Sequence, residues 1–428
     1  MNSRGISSTL ARMRLNRNER PFFACMAFFF FLVVIASDAP GGGQGNLAIK
    51  RDLVWSWPEC EVDSPRFSDD GNFIVLATRV HWPDGAEAEG LPDSFFTKFE
   101  ERKQKDPRFA DPVIRLIDLH GNQACEVRYG SHPSISPDRR RIVYSHQKKP
   151  ISGLRLLAET LAGNDIQVFD CEMKKSTTIA EPDAGYFDEP IFLPDGKSIA
   201  YTMNEAVNGA YGGPVGIERV DLAGAKKEIL VAKDTVPAVR SQGSKPSSGF
   251  AALLFGLAMT HDQLVVLQGK HPHSADGMDL PGQYVISITS VFPERNDILS
   301  LGQFIRVPED LSLQSASDGR ILVYWQYWRP LSLRTRKWLP DIGPRNTNEK
   351  SIYSPDLKYY LVREPQDSPD HFTLYQTAKG ERLHTFPKVQ DVYDATWSQD
   401  SKRLAFVVVP MGATASKYHE DLMVYSVP

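Results

Sequence analysis

One short segment, repeated along most of the chain, restricts its fold more than any other feature. It consists of two or three alternating apolar residues, a tight turn centred on Asp, and an apolar strand. The fullest copy is Pro190-Ile191-Phe192-Leu193-Pro194-Asp195-Gly196-Lys197-Ser198-Ile199-Ala200-Tyr201. Here Pro presets the backbone angle of the turn, Asp bonds the backbone ahead of it, and Gly accepts a positive φ at the exit. The pattern returns at Phe67-Ser68-Asp69-Asp70-Gly71, Ile135-Ser136-Pro137-Asp138, Tyr353-Ser354-Pro355-Asp356 and Trp397-Ser398-Gln399-Asp400. Fainter copies are Met259-Thr260-His261-Asp262 and Ala316-Ser317-Asp318-Gly319. Arg139, Leu357 and Ser401 stand where the turn calls for Gly.

Seven such units with a mean period of about 50 residues fall in the range of propeller blades. Each turn is followed by a second hairpin's worth of alternating sequence, as at Ile114 to Asp118, Ile166 to Asp170, Ile217 to Asp221, Tyr284 to Ile288 and Phe372 to Tyr375. A unit therefore reads as a four-stranded antiparallel sheet. Such sheets cannot bury both faces alone, and radial packing buries them while leaving only short edges. The expected fold is all-β, a seven-bladed β-propeller over residues 46–428, with short helical loop insertions on one face. The seventh unit ends one strand short, and Leu53-Val54-Trp55-Ser56-Trp57 is expected to supply that strand by pairing with Leu422 to Tyr425.

These turns resemble the TolB-type WD40-like propeller repeat, whose signature is an aromatic residue, Ser-Pro-Asp-Gly and an apolar strand. The resemblance spans about Arg51 to Pro428 and is carried best by units one, two, three, six and seven; units four and five lack the Pro. It implies a noncatalytic binding or scaffold role in an exported compartment, recognising a protein or a cell-envelope component.

Residues 1–45 have a different character. Arg4, Arg12, Arg14, Arg17 and Arg20 precede an uncharged apolar run from Pro21 to Ser37, and a Gly-rich tether follows at Gly41 to Gly45. This is a basic region followed by a hydrophobic one, expected to act as a cleaved export signal or as an uncleaved membrane anchor. The arginines are expected to stay in the cytoplasm and the rest to be delivered across, to a periplasmic or extracellular location. Cys25 lies inside the apolar run, leaving Cys60, Cys125 and Cys171. Cys125 and Cys171 are expected to lie too far apart to bond, with Cys60 and Cys125 the only pairing to consider. The net charge of -4, with both signs mixed along the chain, argues against nucleic acid as the partner.

Several groups of residues carry candidate chemistry. Asp63, Asp188, Glu189, Asp310, Asp391 and Asp394 fall just before the repeat aromatic, where blades converge on the central channel. They read as a ring able to take a cation or a basic segment of a partner, or as the lining of a wet channel. No other cofactor is expected. On the face of the longer connections, Trp82 and an amphipathic helix beginning at Asp93-Ser94, with Phe95, Phe96 and Phe99, form an expected recognition surface. A second helix is expected through Leu154 to Leu161. His271-Pro272-His273, with Asp276 and Asp279, supplies ligand types for a transition metal. A metal there would polarise a uronate carboxylate, so the rival function is a metal-dependent lyase or hydrolase acting on acidic sugars. No Gly-x-Ser-x-Gly elbow occurs and the repeats run to the last residues, so no appended hydrolase domain is expected.

Overall fold

The computed structural model describes residues 48–80, 93–109, 111–148, 163–183, 185–207, 210–223, 227–231, 250–260, 262–272, 284–304, 311–347, 351–363, 372–387, 389, 391–413 and 418–428. The N-terminal basic and apolar stretch and the second expected helix lie outside these residues. The first described strand, β1 (Lys50–Pro58), belongs to the last blade. Blade one is β2 (Cys60–Phe67), β3 (Phe73–Val80), β4 (Val113–Asp118) and β5 (Gln123–Arg128), with the helix α1 (Asp93–Lys105) between β3 and β4. Blade two is β6 (Gly130–Ile135), β7 (Arg141–His146), β8 (Asp165–Asp170) and β9 (Lys175–Ala180). Blade three is β10 (Tyr186–Phe192), β11 (Ser198–Val207), β12 (Ala210–Asp221) and β13 (Lys227–Val231). Blade four is β14 (Phe250–Met259), β15 (Leu264–Pro272), β16 (Tyr284–Phe292) and β17 (Asn296–Phe304). Blade five is β18 (Ser312–Ser315), β19 (Arg320–Trp325), β20 (Tyr327–Ser332) and β21 (Lys337–Trp338), and blade six is β22 (Ile352–Tyr353), β23 (Tyr359–Arg363), β24 (Phe372–Gln376) and β25 (Glu381–Thr385). Blade seven joins β26 (Asp391–Trp397), β27 (Arg403–Val409) and β28 (His419–Ser426) to β1. Leu53 pairs with Val424 and Trp55 with Leu422, so the ring closes on the strand that the sequence singles out.

Among the described residues an apolar cluster fills each blade interface. Ile114, Ile142 and Tyr144 join blades one and two, and Val143, Ile199 and Tyr201 join two and three. Ala200, Leu264 and Val266 join three and four; Val265, Ile286 and Ile321 join four and five. Leu322, Trp328 and Tyr353 join five and six, and Leu374, Trp397 and Leu404 join six and seven. Leu76, Val407 and Leu422 join seven and one. Blade sheets bury both faces in this way, which is why the second strands read as continuous apolar runs rather than as alternations. The aromatic run Tyr324 to Trp328 is the β19–β20 hairpin, with Tyr324 and Trp328 buried in the core.

The repeated turn works through its hydroxyl. Ser68 Oγ donates to Asp70 Oδ1 at 2.7 Å and accepts from the Phe73 N–H at 3.0 Å. The same bonds recur at Ser354, at 2.7 and 3.0 Å, and at Ser398, at 2.6 and 2.9 Å. The residues that replace Gly do adopt the left-handed backbone, with φ of 62° at Arg139, 60° at Leu357 and 62° at Ser401. Each offsets that strain with a contact to the adjoining blade. Arg139 Nη1 bonds Asp70 Oδ2 at 2.6 Å, Ser401 Oγ accepts from the Asp356 N–H at 2.9 Å, and Leu357 is buried between blades five and six.

Cys125 and Cys171 are not bonded to each other, as expected, but the reason for expecting it is corrected. Cys60 is disulfide-bonded, though not to Cys125, whose thiol is free, as is that of Cys171. Cys125 and Cys171 are not held apart by belonging to different blades: they share the cluster between blades one and two, close enough for the Cys171 thiol to lower the Cys125 pKa. Both lie beside the turn between the third and fourth strands of their own blade, so they meet at the same height and radius. Incubation with oxidised glutathione, which takes up the two electrons, should link them and raise unfolding stability by about 2–4 kcal/mol. Peptide mapping after alkylation reads the link, and a chain still carrying both alkylated thiols would contradict it.

Candidate functional site

Blades one, two and three enter the channel with the same local chemistry: Asp63-Ser64-Pro65, Ser131-His132-Pro133 and Asp188-Glu189-Pro190. Pro has no N–H for the ladder, so within a sheet it sits at an edge or a bulge. The pairing register breaks at each of these places, between Asp63 and Arg66, Ser131 and Ser134, and Asp188 and Ile191. The residue before each Pro has a left-handed backbone, with φ of 53° at Ser64, 48° at His132 and 49° at Glu189. For non-glycine residues that conformation costs about 1–3 kcal/mol each, and it repeats at the same place in the innermost strand of three consecutive blades. A bulge re-aims a side chain, and here it turns Ser64, His132 and Glu189 toward one cavity.

That cavity has a volume of ≈ 400 Å³ and is walled by Glu61, Asp63, Arg66, Arg79, His132, Glu189, Asp394 and Glu420 around Ser64, Pro65 and Thr396. It opens where the innermost strands begin. In antiparallel blades this is the face that also carries the β3–β4 connection, and Arg102 of α1 reaches Glu59 on that face at 2.7 Å.

Most of the charges are paired within the wall. Arg79 Nε donates to Glu61 Oε2 at 2.6 Å, and its Nη1 lies 3.8 Å from Asp63 Oδ2. Dehydration opposes the Arg79 charge, but Glu61 and Asp63 outweigh it and raise the pKa. His132 Nδ1 lies 2.6 Å from Asp188 Oδ1. Burial alone would pull the His132 pKa down, whereas Asp188, with Asp63 and Glu189 beyond it, lifts it to about 9. The Glu420 carboxyl accepts the Val62 N–H at 2.7 Å and the Tyr418 hydroxyl at 2.5 Å. Burial, reinforced by Glu61, pushes its pKa well up. Asp394 is raised to about 7, first by burial and then by the charge of Asp63, although it accepts the Ala395 N–H. Glu189 is raised by burial too.

Two wall groups have no such pairing. The Arg66 guanidinium makes no hydrogen bond or ion pair with a described residue; dehydration lowers its pKa against the attraction of Glu189, Asp394 and Asp63. The Glu189 carboxyl likewise has no hydrogen-bond partner among the described residues.

Of the six carboxylates that the sequence suggests, Asp63, Glu189 and Asp394 line the cavity and Asp188 braces it through His132. Asp391 is elsewhere, bonded to Arg363 of blade six at 2.5 Å. Asp310, Trp82 and His273 lie outside the described residues, as do the side chains of Phe95, Phe99 and His271; Phe96 is half-buried on α1. Among the described residues no three His, Cys, Asp or Glu are placed to hold a metal. Arg66, Arg79, His132 and Glu420 are wall residues that the sequence reading leaves out. The signal that would have found His132 is the residue-Pro pair at one fixed distance before the turns of blades one, two and three.

No protein-family model matches the chain, and no curated protein matches it. Among solved structures the chain is similar to the Cps50 (Swd1) beta-propeller domain of Myceliophteria thermophila, at 13% identity and a TM-score of 0.48, over 89% of this chain and 100% of that one. The fold rests on the seven four-stranded sheets themselves, the last of them joining the two ends of the chain: the chain is a seven-bladed β-propeller.

Proposed function

We propose that this propeller is a noncatalytic binding or scaffold protein of an exported compartment, in the role class of the TolB-type repeat proteins, recognising a protein or a cell-envelope component. The observation that carries the reading is the strained, charge-lined cavity, which opens on the same face as α1 and leaves Arg66 and Glu189 without protein partners among the described residues. The basic and apolar N-terminal sequence supports export. A metal-dependent lyase or hydrolase draws no support from the described residues.

The connection that holds α1 gives the test. Arg108 must be kept, because its guanidinium lies 3.7 Å over the Tyr129 ring and bonds Asp111 and the Gln147 carbonyl. Deleting Ala86 to Lys105 should abolish capture of the partner that the intact chain crosslinks to in its own compartment, while changing the free energy of unfolding by less than about 1 kcal/mol. Undiminished capture of that partner by the deletion variant would defeat the proposal.

A further inference from the structure

An acid-rich channel suggests a cation as its guest, but the arrangement of this wall points the other way. Each cation except Arg66 already has its counter-ion: Arg79 holds Glu61 with Asp63 beside it, and His132 holds Asp188. Glu420 is occupied by Val62 and Tyr418. What faces the open volume is a guanidinium with five donors and no acceptor. Leaving such a group half-buried and unpaired is costly, and its planar fork matches a carboxylate bidentately. We infer that the channel cavity takes a carboxylate-bearing group, seated on the Arg66 guanidinium, with Glu189 and Asp394 beside it.

The inference deepens the binding reading above and depends on it. The protonation of the neighbours supports the geometry. Burial holds the Asp394 carboxyl toward its neutral form, in which it offers an O–H donor rather than a repelling charge, and shifts Glu189 in the same direction. His132 remains a cation up to about pH 9. Near pH 6 the wall around Arg66 is therefore receptive to an anion. Above pH 7, ionised Asp394 joins Asp63 in repelling one. The carboxylate has two sources of the same chemistry, a small acid or an acidic side chain or chain end of a partner protein.

Calorimetry on the purified full chain tests this with glucuronate and succinate as small acids, with an acidic peptide bearing a free C-terminal carboxylate, and with calcium and spermidine as cations. Saturable binding in the millimolar range or tighter is expected for at least one carboxylate probe; preference for the sugar acid or succinate indicates a free ligand, and preference for the peptide indicates a partner segment. R66Q should weaken that binding by about tenfold or more. R66K, which keeps the charge but loses the fork, should fall between, and it serves as the reading if R66Q does not fold. Binding should tighten from pH 8.5 to pH 6, and D394N should flatten that dependence. Binding of none of the carboxylates, equal binding by both Arg66 variants, or binding of calcium or spermidine in their place would overturn the inference. Loss of partner capture on deleting the α1 connection, with R66Q capturing normally and no carboxylate probe bound by the intact chain, would leave the binding reading standing and defeat this one.

Discussion

A chain beginning at Glu59, and so lacking β1, should not unfold cooperatively, whereas one beginning at Ala48 should. The strand is held on both of its sides. It pairs along its length with β28, and Leu53, Trp55 and Trp57 pack into the cluster joining blades seven and one, with the two indole rings stacked at 4.9 Å. Without it, β28 becomes an open edge whose Leu422 and Val424, now fully buried, lose their cover. A ring depends on every interface, so the expected loss is comparable with the whole stability of a domain, about 5–15 kcal/mol. Thermal unfolding followed by light scattering reads the result. Equal midpoints for the two chains would show that the closure contributes little.

H132A should destabilise the protein by about 3 kcal/mol, because removing one partner of a buried ion pair leaves the other uncompensated. The value sits at the low end of the usual range since His132 itself lines the cavity. D188N should cost less, for Asn still offers the imidazole an acceptor. The pair also fixes a pH dependence. The folded His132 pKa of about 9 exceeds its ordinary 6.5, so its contribution is fully present below about pH 6.5 and is lost as pH rises to about 9. For Asp394, raised from 3.8 to about 7, the protonated form belongs to the folded state, so stability falls as pH rises between those values. Both effects have the same sign. Melting midpoints should fall from pH 6 to pH 9, and H132A should be flatter over the upper part of that range; a wild-type midpoint that rises with pH would contradict both assignments.

The sequence carried the turns, and with them the ring. Ser-x-Asp turns are local chemistry, legible wherever a hydroxyl, an Asp and a following apolar strand coincide, and even Thr260 in blade four accepts the backbone N–H of Gln263 as Ser does elsewhere. The start of α1 at Asp93 was legible as well. The site was legible only in part. Position before the turn puts Asp63, Glu189 and Asp394 at the channel, but alternation along β2 cannot place Arg66, because the bulge at Ser64-Pro65 shifts the register and changes which way later side chains face. Arg79 and Glu420 come from the second and third strands of their blades, so only the closed ring brings them to the same wall. Their mutual compensation, which turns an acidic reading into a wall around one unpaired cation, has no counterpart in the order of residues. Blade membership is likewise a poor guide to the Cys125–Cys171 separation, because equal height in adjoining blades means contact.

The strand that seals the ring also sets a timetable. Ser426 and Asp52 share a hydrogen bond across 374 positions of the chain, so β1 is synthesised long before its partner β28. At about 5–20 residues per second, roughly 20–75 s separate them. During that interval Trp55 and Trp57 have no cluster to enter, and the growing array of blades carries an unpaired edge at each end. Pairing at such long range is slow on topological grounds as well, so closing the circle is expected to be the last event of folding. A nascent chain stalled short of β28 would remain an open arc, and its uncovered tryptophans would mark it for chaperones or proteases.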